Sequence, residues 1–439
     1  MAKDITTPLG TVLADGWQLR PLGEMCSKIG SGATPKGGAA VYKDDGISFI
    51  RSQNVFDHRF SKAGLVFIND EAAARLSGVE VRPEDVLLNI TGDGATIARC
   101  CVVSSDILPA RVSQHVVIIR PRDGLIPGYL QRYLSHPRIR AYMLSHNSGG
   151  SRRALTKRQI EGFQIVVPPL AEQRAIAEVL GALDDKIAIN ERISNTAADL
   201  ARAMMGAMWK GGRIPSLVID TAPADRRWRR TTLGQLCSAG GGSIQTGPFG
   251  SQLHAADYVE SGAPSVMPQN IGDNVIIEDG IARVSAADIS RLSKYLLIDG
   301  DIVYSRRGDV KRRALVRRHE AGWLCGTGCL RVRAGNAVEP LWLSHYLGEP
   351  EVQNWIHRHA VGATMPNLNT AILGAVPVVL PPTEVRERIN GDLAVLDARS
   401  MAAVHENRTI ADLRDTLLPQ LVSGKIRIKD AERAIEEAA

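Results

Sequence analysis

The segment Val166–Asp185, VVPPLAEQRAIAEVLGALDD, recurs as Val378–Asp397, VVLPPTEVRERINGDLAVLD. Pro168-Pro169 correspond to Pro381-Pro382, and Ile176, Leu180, Leu183 and Asp184 to Ile389, Leu393, Leu396 and Asp397. The offset is 213 throughout, close to half of the 439-residue chain. A proline pair cannot extend a sheet ladder and disfavours helix at the residue before it, yet proline is tolerated at a helix start. Each copy therefore reads as a last strand (FQIVV, AVPVVL), a stiff joint and the first turn of a helix. Glu172 and Glu384 in that turn suit the positive end of the helix dipole.

Beyond the joint, apolar positions recur in steps of three and four: Ile176, Leu180, Leu183, Ile187, Asn190, Ile193, Ala197, Leu200, Met204 and Ala207. The second copy gives Ile389, Leu393, Leu396, Ser400, Ala403, Asn407, Ile410, Leu413 and Leu417. That is the spacing of a narrow coiled-coil seam. The spacing predicts two helices of roughly 35–40 residues, about 55–60 Å each, without an internal proline. A helix with one apolar stripe needs a partner. We expect the two to lie antiparallel, with Asn190 and Asn407 helping to fix register. The alternative is that each packs on its own globule.

The duplication extends upstream. Trp17, Leu22, Gly23 and Cys26 return as Trp228, Leu233, Gly234 and Cys237 at offset 211. Asp85, Gly92, Asp93 and Ala98 return as Asp301, Gly308, Asp309 and Ala314 at offset 216. The drift places short insertions and deletions in loops. Within each copy, runs such as ISFIRSQNV, DVLLNI, HVVIIRP, DIVYSRR and CLRVRA read as strands between Gly, Asn, Asp and Pro breaks. GYLQRYLSHPRIRAYMLS and LWLSHYLGEPEVQNWIHRH read as short helices. The expected fold class is α+β: two repeated globular domains joined by two long helices that form an antiparallel coiled-coil spacer. The predicted boundaries are an N-terminal segment 1–16, a first domain 17–169, a helix 170–210, a linker 211–227, a second domain 228–381, a helix 382–422 and a tail 423–439.

Composition narrows the function. Hydrophobic residues make up 44% and charged residues 23%, as in a globular protein, and the net charge of +6 favours an acidic partner such as nucleic acid. The N-terminus lacks an apolar signal core, and no long apolar run is present, so a cytoplasmic protein with no membrane partner is expected. Six cysteines are too few for a disulfide scaffold in a chain of this size. No catalytic constellation is legible. GSGATPKGG at Gly30 departs from a phosphate loop because Lys36 is followed by Gly. Cys325 and Cys329 have a loose metal spacing, with only His357 and His359 nearby, and buried thiols are the preferred reading.

Cationic and amide side chains instead cluster in predicted loops. Arg reads guanine bidentately, Asn and Gln read adenine, and Arg and Lys hold phosphates. The candidate DNA-binding residues are Arg51, Gln53, Asn54, Thr91, Ser151, Arg152 and Arg153 in the first copy, and Gln269, Asn270, Arg306, Arg307, Lys311 and Arg312 in the second.

PPLAEQ followed by a heptad helix, its echo, the GSGATP entry and the LLPQLVSGKI ending at Leu417–Ile426 resemble the specificity subunit of type I restriction-modification systems. The resemblance implies a non-catalytic subunit whose two globules are target recognition domains, each reading half of a bipartite, asymmetric duplex DNA sequence. It implies that the paired helices set the spacing and dock two modification (methyltransferase) subunits, through Glu172, Gln173, Arg174 and Arg386 at the joints. It further implies restriction/translocase partners. S-adenosylmethionine would be bound by the modification subunits and ATP with Mg by the restriction subunits, with no cofactor or metal on this chain. The second joint, PPTEVRER, lacks the Glu-Gln pair, which puts its contacts in doubt. The competing expectation is a coiled-coil scaffold carrying two protein-binding globules without DNA recognition.

Overall fold

The computed structural model describes residues 6–92, 96–146, 153–209, 228–362 and 365–438. The chain divides into two units, Met1–Glu191 with Val404–Ala439, and Arg192–Ala403. Each unit holds one globular head, the near half of one long helix and the far half of the other.

In the first unit the strands VLLN (Val86–Asn89) and VVIIRP (Val116–Pro121) are apolar almost without alternation because both of their faces are covered. They sit in an antiparallel sheet ordered Cys100–Val102, Val86–Asn89, Val116–Pro121, Cys26–Ser31. Leu87, Val116 and Ile118 join a core with Ile50, Val81, Ala110 and Val112 of a second sheet. That sheet is ordered Val66–Ile68, Ile47–Ile50, Ala110–Val112, Glu80–Val81, with its two central strands parallel. Val86, Leu88, Val117 and Ile119 point the other way, onto Tyr129, Tyr133, Ile139 and Met143 of helices Pro127–Ser135 and Pro137–Ser145.

The second unit repeats the plan. A five-stranded sheet runs Ser243–Thr246, Cys329–Arg333, Ile302–Ser305, Arg313–Leu315, Asp273–Asn274. A four-stranded sheet runs Tyr258–Val259, Ala282–Val284, Ala263–Val266, Leu324–Cys325. Val303 and Cys329 share a core with Val266 and Cys325 of the smaller sheet, while Ile302, Tyr304, Leu330 and Val332 meet Trp342, Tyr346 and Ile356 of the helices. A buried ion pair recurs in register. Asp85 receives two bonds from Arg120, at 2.7 and 2.8 Å, and Asp301 two from Arg333, both at 2.7 Å. Burial would penalise either carboxylate alone; the bidentate guanidinium, with a backbone N–H from Arg82 or Ile298, satisfies it.

The joint is built alike in both units. Gln18–Pro21 pairs antiparallel with Gln164–Val167, and Arg229–Thr232 with Pro377–Leu380. The Tyr133 hydroxyl donates to the Gln164 carbonyl at 3.2 Å, and the Tyr346 hydroxyl to that of Pro377 at 3.0 Å. After the proline pairs, helices span Leu170–Met208 and Thr383–Val422. The second includes Pro419 in its final turns, so the expectation of proline-free helices fails there; the Ser423 hydroxyl donates to the Pro419 carbonyl.

The helices run antiparallel. In the first unit Arg414 pairs with Asp184 at 2.9 Å, Asn407 Nδ2 donates to the Ile187 carbonyl at 3.2 Å, and buried Asn190 donates to Glu406 at 2.8 Å. In the second, the Ser194 and Ser400 hydroxyls are 2.7 Å apart. Rising numbers on one helix meet falling numbers on the other, which excludes helices packed only on their own heads. The predicted seam holds through Ala197 and then slips by one residue. Leu200 is 47% exposed, and Ala201 and Met205 are buried in its place, against the core of the second head. The C-terminal segment, read only as a tail, contains the helix Ile428–Ala438, and Ala431 is buried in the first unit's core.

Candidate nucleic-acid interface

In the first head, strands ending at Ser31, Ile50, Asn89 and Val112 converge on the crossover Ser113–His115. Gly32 N donates to the Val116 carbonyl at 2.9 Å, Ala33 N to Val112 at 3.1 Å, and Ser113 N to Ile50 at 2.9 Å. Buried Asn89 ties neighbouring loops together, its amide donating to the carbonyls of Ser52 at 2.9 Å and Thr96 at 3.2 Å. The outcome is a rim of short loops on a fixed base.

The second head forms the same rim from strands ending at Thr246, Val266, Ser305 and Cys325 around Gly326–Gly328. Gly247 N donates to the Cys329 carbonyl at 2.9 Å, Gly326 N to Val266 at 2.9 Å and Arg306 N to Gly328 at 2.8 Å. Gly32 and Gly247 are equivalent exit points. A Cβ at either would lie 2.1 Å from a backbone oxygen, of Val112 or Gly326, so only glycine lets these loops leave the sheet so close to the crossover.

The rim gathers several of the residues singled out by sequence. Arg51 is half-buried, with Nη2 donating to the Gly64 carbonyl at 2.7 Å and its guanidinium 5.4 Å from the Tyr42 ring centroid. Gln53 is exposed and donates to the same carbonyl at 3.3 Å. The Thr91 hydroxyl lies 2.7 Å from His115 Nδ1. In the second head Gln269 is exposed on the turn Pro268–Asn270, and Arg307 is exposed with its backbone bridged to Asn367. The Arg306 guanidinium lies over the Phe249 ring, 5.7 Å from its centroid. Arg312 pairs with Asp309 at 3.4 Å, and Lys311 Nζ lies 3.4 Å from Asn354 Oδ1. Arg153–Ala154 pairs with Thr91–Gly92, which brings the backbone of Arg153 to the rim; Ser151 and Arg152 lie outside the described residues.

Asn54 and Asn270 do not read bases. Both are buried, and each Oδ1 accepts a backbone N–H at 3.1 Å, from Arg51 or Met267. Asn54 Nδ2 donates to Ser61 and Ala63 carbonyls, and Asn270 Nδ2 to that of Ile277. These amides are buried and committed to backbone groups of their own turns, so they shape the turn and are not presented to a partner.

The joint residues need the same correction. Gln173 is 1% exposed; its amide accepts from Ile126 N at 2.9 Å and donates to Gly124 and Pro168 carbonyls at 3.0 and 2.9 Å. Its counterpart Arg386 is ion-paired at 2.5 Å with Glu339, the counterpart of Ile126. Glu172 accepts the Trp17 indole N–H at 3.0 Å, whereas in the second copy Val385 and Trp228 are apolar neighbours in one core. Gln173 and Arg386 thus lock head to helix within the chain and do not offer a docking surface. Arg174 is exposed on the helix.

Sequence reading missed Gln114, His115, Thr327 and Phe249, all on the rim. For Gln114, His115 and Thr327 the available signal was position, within a few residues of a predicted strand end; Phe249 follows the strand Ser243–Thr246, which the sequence reading did not predict. The six cysteines are buried, and burial pushes Cys26, Cys100 and Cys325 up to about 12. The Cys329 thiol donates to the Val266 carbonyl at 3.2 Å. Among the described residues no cluster of three His, Cys, Asp or Glu side chains could hold a metal, and no helix is long and apolar enough to cross a membrane.

A family model described as the type I restriction modification DNA specificity domain matches residues 14–198. The putative type I restriction enzyme MjaX specificity subunit of Methanocaldococcus jannaschii is 21% identical over 439 residues, covering 96% of each chain. The EcoKI specificity subunit of Escherichia coli K12 is 20% identical over 300 residues, 67% of this chain and 62% of that subunit. The crystal structure of the type I restriction-modification S subunit from M. genitalium shares the fold, with a TM-score of 0.59 at 13% identity, over 94% of this chain and 98% of that one.

Proposed function

We propose that this chain, whose residues 14–198 match the type I restriction modification DNA specificity domain model, is the non-catalytic DNA-reading subunit of a type I restriction-modification enzyme. On this reading each head recognises one half of a bipartite, asymmetric duplex target. The paired helices set the separation of the halves and dock two modification subunits, which would bind S-adenosylmethionine; restriction subunits would supply ATP-driven chemistry.

One observation carries the reading: two heads with the same strand scaffold and the same glycine exit points present different side chains on equivalent rims. Thr91 in the first head corresponds to Arg307 in the second, and His115 to Gly328. A duplicated frame with unlike tips suits recognition of two unlike sequences. Arg306, Arg307 and Gln269 offer guanine- and adenine-reading groups, and Arg51, Gln53, Thr91 and His115 offer a more neutral set. Phosphate contacts would come from the remaining exposed cations around each rim.

The test is a salt titration of duplex binding by the full chain assembled with its modification subunits. DNA reading predicts a log–log slope reflecting several released counterions, made shallower by about one for each phosphate-contacting cation removed. A protein-binding scaffold predicts a slope that removing this chain's rim cations leaves unchanged.

A further inference from the structure

We infer that the second head deforms its half-site, with Phe249 stacking into a base step while the first head reads an undistorted one. This rests on the proposed DNA reading and goes beyond it by assigning unlike modes of recognition to the two heads.

Three large apolar side chains stand on the second rim: Phe249 is 53% exposed, Val361 65% and Met365 61%. Among the described residues the first rim has no exposed large apolar side chain; the position equivalent to Phe249, two residues beyond the glycine exit, is Thr34. The patch is assembled by the backbone. Val361 and Arg307 both bridge to Asn367, and Gly308 N donates to the Pro366 carbonyl at 3.1 Å, beside Met365. The Phe249 turn is held at both ends: Gly247 is pinned to the crossover, and Gln252 N and Leu253 N both donate to the Phe249 carbonyl, at 2.8 and 3.2 Å.

A rigidly presented, half-exposed aromatic ring is an unfavourable surface in water unless a partner covers it. The partner's chemistry is set by the surroundings. Arg306 covers one part of the ring, Arg307 next in sequence is exposed, and Arg312 lies a few residues on and is exposed too. An apolar wedge in a cationic frame matches a polyanion with π-faces, that is, stacked bases between phosphates. Aromatic and methionine wedges unstack a step and bend the duplex, and sequences that unstack easily are then preferred without any contact to their base edges.

The experiment uses the full chain with its modification subunits and a duplex carrying the methylated target, with 2-aminopurine placed in turn at each adenine of the two half-sites except the methylated ones and their immediate neighbours, because a methyltransferase extrudes its target base. The wild-type complex should raise the probe's emission at one step of the second head's half-site and leave the first half-site unchanged. Phe249→Ala should abolish the rise and weaken binding about tenfold, with the salt slope unaltered because no charge is removed. Phe249→Trp should keep the rise. Specific binding without an emission change, or less than a twofold loss on Phe249→Ala, overturns the wedge alone. Absence of specific binding by the wild-type complex overturns the DNA reading and the wedge together.

Discussion

Asn54 and Gln53 are neighbours with opposite fates, and the contrast separates frame from tip. Asn54 satisfies three backbone groups inside its turn, as Asn270 does two in the second head, whereas Gln53 and Gln269 face solvent. Asn54→Ala or Asn270→Ala leaves buried backbone groups unpaired and should cost about 2–3 kcal/mol in unfolding experiments. Gln53→Ala and Gln269→Ala should stay within about 0.5 kcal/mol of wild type while altering DNA preference. Sequence reading treated all four alike, because residue type reports donors and acceptors but not whether the backbone has already claimed them. It also missed His115 and Phe249, which draw their position from how strand ends converge.

Buried histidines give a second prediction at this scale. His58, His136 and His345 are each lowered to about 4, in every case first by burial and then by a neighbouring arginine. His58 Nδ1 lies 2.5 Å from Arg132 Nη1 and 3.1 Å from Gln131 Nε2, donors that require its unprotonated form. Folded-state values below the unfolded one mean that the unfolded chain binds protons more readily. The stabilisation is complete above about pH 6.5 and falls progressively toward pH 4. Melting temperature should drop on acidification from pH 7 to 5, and His345→Gln should flatten the drop; a flat profile for wild type would contradict the assignment.

At the scale of elements, the two joints show one task solved in two ways. Gln173 caps the start of Pro127–Ser135 through the Ile126 amide, and Arg386 reaches the equivalent position through the Glu339 carboxylate. A double-mutant cycle on Arg386 and Glu339 should give a coupling of about 1–3 kcal/mol, while Arg386→Ala alone should loosen the second head's attachment without affecting the first. The helix spans were legible to within a few residues, since proline pairs and apolar periodicity are local signals. The seam beyond Ala197 was not. A strict 3.5-residue repeat continues to Leu200 and Met204, but a straight helix drifts from that repeat, and the face actually buried is chosen by the second head's core. Met205→Ala should therefore cost about 2–5 kcal/mol, and Leu200→Ser about 0.5 kcal/mol or less.

For the whole molecule, the duplication itself is the functional statement. Both heads repeat the buried Asp–Arg pair, the tyrosine clasp on the last strand, the glycine exit and the satisfied asparagine turn. The heads differ at the tips and the joints, in a fifth strand on the second head's main sheet, and in the C-terminal helix that packs into the first unit's core. The α+β plan and antiparallel helices were readable because a repeat exposes its own invariant positions; the identity of the reading tips was not, because tips are the part the repeat leaves free. The central claim, that the chain reads two unlike half-sites, is tested most directly by mapping methylated adenines in a host carrying this protein and its modification subunits. A split, asymmetric motif with a fixed gap is predicted. A continuous or palindromic motif, or no sequence-specific methylation, would contradict the account.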